Sequence, residues 1–195
     1  MARLHKFSND TSKAALAACV LLSLGAPAQA AEDAQLLKLR DSAHPALCDL
    51  KPGDPPYTGI KRFVLAGTPR TTLYVVPCRA SAFDVYDVLF IGDGGRLRPL
   101  YFARPGFELP TNGHGAGAWA KARMTRIGVT AMLSAPEVNK GKGTITTGSR
   151  IAPGLGQGEL SLTYRIEQGS VVLVRFAALL DGKKPIIIWR SPSRG

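Results

Sequence analysis

The 195-residue sequence lacks the compact signatures of the common catalytic families. It has no Gly-x-Ser-x-Gly elbow, no His-Glu-x-x-His zinc helix and no Gly-x-x-x-x-Gly-Lys phosphate loop. Asp84 and Asp87 fall on opposite faces of a predicted strand, and Asp93 falls in a turn, which argues against shared acid–base catalysis. The sequence therefore predicts no catalytic residue and no cofactor.

No apolar run near the N-terminus is long enough to cross a bilayer, which requires about 20 residues. A positive segment precedes the short run at residues 14–24, and Ala-Gln-Ala follows at residues 28–30. These three parts are typical of a secretory signal peptide, so we predict a leader at residues 1–30 and a periplasmic or secreted protein without a transmembrane span. As an alternative, Leu-Ala-Ala-Cys at residues 16–19 has the form of a lipoprotein box, in which Cys19 would be lipidated.

Cysteine is scarce, and only Cys48 and Cys78 follow the predicted leader. A structural zinc site needs four ligands, and only His44 and His114 are left to join the two cysteines, so we predict no metal site. In an oxidising compartment two cysteines have one possible pairing. We predict a Cys48–Cys78 disulfide, whose loop of about 30 residues would contribute roughly 3–4 kcal/mol in the entropy model.

Acidic residues are few: 14 stand against 25 lysines and arginines, giving a formal net charge of +11. Such a balance raises the local concentration of anionic partners, although it also serves solubility alone. Exported proteins seldom meet nucleic acid, so we predict that nucleic acid is not a partner. Anionic envelope polymers and lipid headgroups are the partners that charge favours, and the sequence does not indicate an oligomeric state.

Long helices alternating with strands are also missing, which argues against a doubly wound parallel sheet. Residues 158–190 instead read as three strands with tight turns at residues 167–170 and 181–184, and only Arg175 interrupts the apolar middle strand. We predict a mainly β fold of antiparallel hairpins, with one helix near residues 31–42 and another near 116–127. Residues 31–61 would form a helix and a proline-rich loop, and residues 62–195 the β-rich domain.

A ligand site is suggested by Trp119, Arg123 and Arg126, which would form one stripe if residues 116–127 were helical. A tryptophan beside arginines can hold an anionic or carbohydrate ligand through stacking and charge. The alternative is a core tryptophan with arginines extending around it. Lys140 and Lys142, in a predicted loop, are further candidates for a basic binding surface.

Several segments carry a family resemblance. They are residues 73–78 (LYVVPC), Ala82-Phe83, residues 140–143 (KGKG), the glycine-rich run ending at Gly158, residues 164–166 (YRI), residues 181–183 (DGK) and Trp189-Arg190. Together they resemble the C-terminal half of exported bacterial proteins known as domain of unknown function 1176, over about residues 62–191. The resemblance implies an exported β-rich fold and transfers no catalytic residue. Relatives carry two further cysteines, at positions that correspond here to the neighbourhood of Gly158 and to Leu180, and their joint loss implies that they pair in relatives.

The function that these observations favour is non-enzymatic. We predict a binding or structural module of the cell envelope that contacts anionic material through basic residues. The alternative is a hydrolase of envelope components with an unfamiliar site. Binding that weakens as salt rises would favour the first, and turnover of an envelope substrate the second.

Overall fold

The computed structural model describes residues 25–66, 71–82, 84–93, 95–110, 115–151, 155 and 157–192. Most of the predicted leader, with Cys19, lies outside these residues, as does His114. Helix α1, Gly25–Ala43, confirms the helix expected near residues 31–42 and begins before the predicted cleavage position. In the described part of the chain, no helix is both long and apolar enough to cross a membrane. The chain divides into two compact units, residues 1–39 and 40–195, and every strand belongs to the second.

The first sheet contains five antiparallel strands, four of which lie in the order β1-β2-β3-β4. The fifth strand, β7, pairs with β3 on the same side as β4 does, nearer the start of β3. Strand β4 ends at Pro99 and pairs with β3, an edge position that suits a residue without a backbone N–H. A bulge between Pro77 and Arg79 lets β2 continue past the proline to Ala80. The strands are β1 Lys61–Val64, β2 Thr71–Ala80, β3 Val85–Asp93, β4 Arg96–Pro99 and β7 Met132–Ser134.

The second sheet has the order β12-β11-β10-β9-β8, also antiparallel throughout. The three strands predicted in residues 158–190 are confirmed, and β10 shows the expected alternation, since Tyr164 is fully buried while Arg165 is exposed. A bulge at Val174 shifts the register between β10 and β11. The strands are β8 Glu137–Asn139, β9 Thr144–Arg150, β10 Gly158–Glu167, β11 Ser170–Leu180 and β12 Ile186–Arg190.

A two-stranded ribbon completes the fold, and it corrects the predicted helix near residues 116–127. Helix α2, Gly115–Trp119, stops after little more than one turn. Strand β6, Arg123–Thr130, follows it and pairs with β5, Phe102–Glu108. Tertiary pairing with β5 thus outweighs the local helical pattern, which is weak because residues 123–130 include threonines, glycine and β-branched side chains.

Two apolar clusters form the core on the inner face of the second sheet. The larger one joins the two sheets through residues such as Leu73, Leu89 and Tyr164, and the smaller one gathers around Trp119 and Leu180. The Tyr164 hydroxyl donates to the Ala103 carbonyl at 2.7 Å, which ties β10 to the ribbon. Burying Leu or Phe side chains of this kind contributes about 1.5–3 kcal/mol each.

The segment after α1 is fastened to β2. Cys48 and Cys78 lie at disulfide distance, with their Cα atoms 4.4 Å apart, as predicted. The Asp49 and Leu50 amides both donate to the Cys78 carbonyl at 3.0 Å. The buried Arg40 guanidinium donates to the Leu50 and Pro77 carbonyls, each at 2.8 Å. This fastening is compatible with an oxidising compartment.

Candidate functional site

Trp119 is a core residue and does not offer a stacking surface to a ligand. Its side chain is fully buried, and its indole N–H donates to the Leu155 carbonyl at 2.9 Å. Its ring lies 5.1 Å from that of Phe107, centroid to centroid. The alternative stated from the sequence, a tryptophan packed in the core, is therefore the arrangement that the structure has.

The predicted basic residues do not form one surface. Arg123 and Arg126 lie exposed on β6, and Arg123 pairs in register with Glu108 beside an open cavity of about 540 Å³. Lys140 and Lys142 are exposed in the turn between β8 and β9, which adjoins the end of β10 near Ile166. The Trp119 cluster packs on Leu160, towards the opposite end of β10, so roughly 20 Å of strand separates it from the turn at Ile166.

A polar groove on the outer face of the second sheet forms a more coherent site. We call it the sheet groove; its volume is about 450 Å³. The small residues Gly148 and Ser161 are register partners on β9 and β10 and form its floor, and Ser161 is only 6% exposed. Carboxylates of Asp84, Glu137 and Glu159 lie along it. A Cβ atom at Gly148 would overlap the Glu159 side chain, which therefore lies flat across the glycine.

One wall of the sheet groove is the connection between β7 and β8, and it is fixed in place. The Thr147 hydroxyl donates to the Ser134 carbonyl, and the Ala135 amide donates to the Val85 carbonyl at 3.2 Å. Ala135 has a φ of 37°, a left-handed conformation that a residue with a Cβ adopts only when its surroundings hold it there. The groove is thus a preformed cleft, because its wall is bonded to both sheets.

A line of polar side chains runs from the sheet groove across all five strands. We call it the polar row, and each member faces the next across a strand pair. Glu137 pairs with Thr146, and Thr146 pairs with Thr163, their hydroxyl oxygens 3.5 Å apart. Thr163 pairs with Arg175, and Arg175 pairs with Arg190. Residues opposite one another in a sheet point to the same face, so these five share the outer face.

Arg175 and Arg190, which we call the arginine pair, are the two positive charges of the polar row, and no acidic side chain neutralises them among the described residues. Neither side chain forms a hydrogen bond or an ion pair with another described residue, and the Arg175 Nε is buried without a partner. Like charges directly opposite on neighbouring strands are destabilising. A buried unsatisfied donor adds a penalty of about 1–3 kcal/mol. A carboxylate or phosphate placed between the two guanidinium groups would relieve both penalties and accept charge-assisted hydrogen bonds.

Three titratable groups with shifted pKa values lie outside this site. Burial raises the pKa of Asp87 to about 6, an effect that Lys61 partly opposes. Burial lowers the pKa of His44, whose ring contacts Phe90 and Tyr101. Burial also raises the pKa of Tyr164, against the influence of Arg104. No hydrogen bond or ion pair joins any one of these three groups to another.

Among the described residues, no group of three or more His, Cys, Asp or Glu side chains is arranged to hold a metal ion. No protein-family model matches the chain, and neither a curated protein nor a solved structure shows significant similarity to it. The resemblance to domain of unknown function 1176 therefore stays a prediction. The resemblance assigns the extra cysteines of relatives to the neighbourhood of Gly158 and to Leu180, and Gly158 and Leu180 are cross-strand partners in β10 and β11.

In the sequence Arg175 stands out only as the single charge in an apolar strand, and the polar row cannot be recognised there. This charge within an apolar strand is the feature of the sequence that could have indicated the site. The partner Arg190 could not be assigned to it without the β11–β12 register, which contains a bulge after Phe176. Glu137 and Ser161 reach one groove only because β9 lies between their strands.

Proposed function

We propose that this protein is an exported, non-enzymatic binding module for an anionic polymer of the cell envelope, and that the arginine pair is its anion site. The observation that carries the proposal is the juxtaposition of Arg175 and Arg190 on an open sheet face without an acidic partner among the described residues. Guanidinium groups bind carboxylates and phosphates through paired N–H donors, which suits a polymer bearing either group.

The rest of the chain supports a polymer over a small molecule. The polar row crosses five strands, a span of roughly 19 Å at the usual strand spacing, and its members are exposed or half-buried. The net charge is +11 for the whole sequence and +9 without residues 1–30, which contain three Lys or Arg and one Asp, and such a charge would attract a polyanion. Export is supported by the predicted leader and by a cysteine pair at disulfide distance.

The proposal is tested by measuring binding of the oxidised protein to two polyanions, polygalacturonate and inorganic polyphosphate, at low and at high salt. We expect Arg175→Gln to weaken binding about tenfold or more, because a hydrogen bond to a charged group contributes about 1.5–3 kcal/mol. Binding should also weaken as salt rises.

Arg123→Gln and Lys142→Gln are the matched controls, since each removes one positive charge from an exposed position away from the polar row. We expect them to change affinity by no more than about twofold, the effect of net charge alone. Equal losses in all three variants would show that binding is diffuse and would refute the arginine pair as the site. Release of shortened chains from either polymer would favour the hydrolase over a binding module.

A further inference from the structure

The sheet groove has a chemistry opposite to that of the arginine pair, although the polar row joins the two. Asp84, Glu137 and Glu159 supply carboxylate acceptors along the groove, and Arg150 is the one basic residue among its lining. Ser161 and Thr146 supply hydroxyl groups, which can both donate and accept. The edge of β9 beyond Thr146 adds backbone groups, because β8 pairs with β9 only at residues 144–146. Such a set matches a partner rich in hydroxyl donors.

Because the three carboxylates outnumber the single Arg150 side chain, charge disfavours a dense polyanion in the groove itself. A chain that carried a negative charge at every repeat, such as polyphosphate, would bring charges against the three carboxylates while it reached the arginine pair. Repulsion between like charges at close range would offset much of the attraction by the arginines. A chain whose neutral, hydroxyl-bearing parts alternate with acidic groups avoids this conflict, because its hydroxyls meet the carboxylates and its acid meets the guanidinium groups.

We infer that the sheet groove is a sugar subsite and that the anionic polymer is an acidic polysaccharide lying along the polar row. This inference rests on the proposed function, since the arginine pair anchors the acidic group. A sugar ring occupies the groove beside the Glu159 carboxylate, which lies over Gly148. The Ser161 hydroxyl and the Glu159 carboxylate hydrogen-bond to ring hydroxyls, and the fixed wall around Ala135 holds the cleft open.

Three ligands test the inference with the oxidised full chain: polygalacturonate, inorganic polyphosphate and anionic phospholipid vesicles. We expect polygalacturonate to bind at least tenfold more tightly than polyphosphate at equal charge concentration. Ser161→Val removes the floor hydroxyl, and Gly148→Ala displaces the Glu159 carboxylate without changing charge. Each should reduce polygalacturonate binding about fivefold or more and leave polyphosphate binding unchanged. Thr125→Val, an exposed hydroxyl on β6, is the matched control and should change neither.

The outcomes separate the two proposals. The first possible outcome is that both polymers bind equally, that neither Ser161→Val nor Gly148→Ala changes their affinity, and that Arg175→Gln lowers it. This outcome would refute the sugar subsite and support the anion site. If neither polymer binds, both proposals fall. Tighter binding to the vesicles than to polygalacturonate would indicate a lipid surface as the partner and would refute the proposal of an acidic polysaccharide. Circular dichroism of each variant establishes that it is folded, and the two groove variants act through different atoms, so a folding defect in one leaves the other to decide.

Discussion

Asp87→Asn is expected to stabilise the protein at neutral pH and to leave its stability nearly unchanged at acidic pH. Asp87 lies on β3 opposite Pro77 and Leu133, is 7% exposed and forms no hydrogen bond or ion pair with another described residue. Burial raises the pKa of its carboxyl from 3.8 to about 6. The folded protein therefore holds this proton more tightly than the unfolded chain does.

This difference in pKa between the folded and unfolded states sets how stability changes with pH. Below about pH 4 the carboxyl is protonated in both states and has no effect on the free energy of unfolding. As pH rises through the folded pKa near 6, the folded state must ionise a buried group, and stability is lost. A difference of about two pH units corresponds to about 3 kcal/mol, an upper bound because water can reach part of the group. Asparagine has the same shape without the charge, so we expect a gain of about 1–3 kcal/mol at neutral pH.

Urea unfolding at about pH 4 and about pH 7.5, followed by the fluorescence of Trp119 and Trp189, measures the difference between the variant and the parent protein. Asp93→Asn is the control, because Asp93 is an exposed carboxylate on the same strand. Lys61→Gln should deepen the pH dependence, since Lys61 lowers the pKa of Asp87. A gain of equal size at both pH values would show that the effect comes from packing and would refute the argument from ionisation.

Three further predictions concern the core and the cysteines. Because burial lowers the pKa of His44 from 6.5, the unfolded chain binds its proton more readily, so stability should fall as pH drops below about 6.5, and His44→Leu should flatten that slope in thermal scans. Tyr164→Phe leaves the Ala103 carbonyl without its donor and should cost about 1–2 kcal/mol in urea unfolding; no change would mean that water replaces the hydroxyl. Cys48→Ser should cost about 2–5 kcal/mol, and thiol titration of the unreduced, denatured parent protein should find neither Cys48 nor Cys78 free.

The parts of the fold that the sequence could predict are those set by local pattern. The alternation of Leu160, Leu162 and Tyr164 with polar residues defined β10. The turns around Gly169 and Gly182 join β10 to β11 and β11 to β12, and both glycines have the positive φ that such turns favour. The helix expected near residues 116–127 failed because β6 is held by β5, and nothing within that window encodes this pairing. Trp119 and Arg123 have helical spacing, yet they belong to different elements.

Local sequence pattern could not predict the candidate site either, because the site also depends on pairing between strands. Thr146, Thr163 and Arg175 are separated by connections and meet only through the registers of β9, β10 and β11. A shift of one residue in any of these registers would send a side chain to the opposite face and break the row. Composition indicated an anionic partner, but it could not choose among 25 basic residues.

The polar contacts around Cys78 bear on the order of events during maturation. The amides of Asp49 and Leu50 and the guanidinium of Arg40 bind carbonyls on or beside β2 without any help from sulfur. They would seat the segment while both thiols are still reduced, and so raise the effective concentration of one thiol at the other. The two thiols would therefore be aligned before oxidation, and the disulfide would form in a conformation that the chain had already adopted.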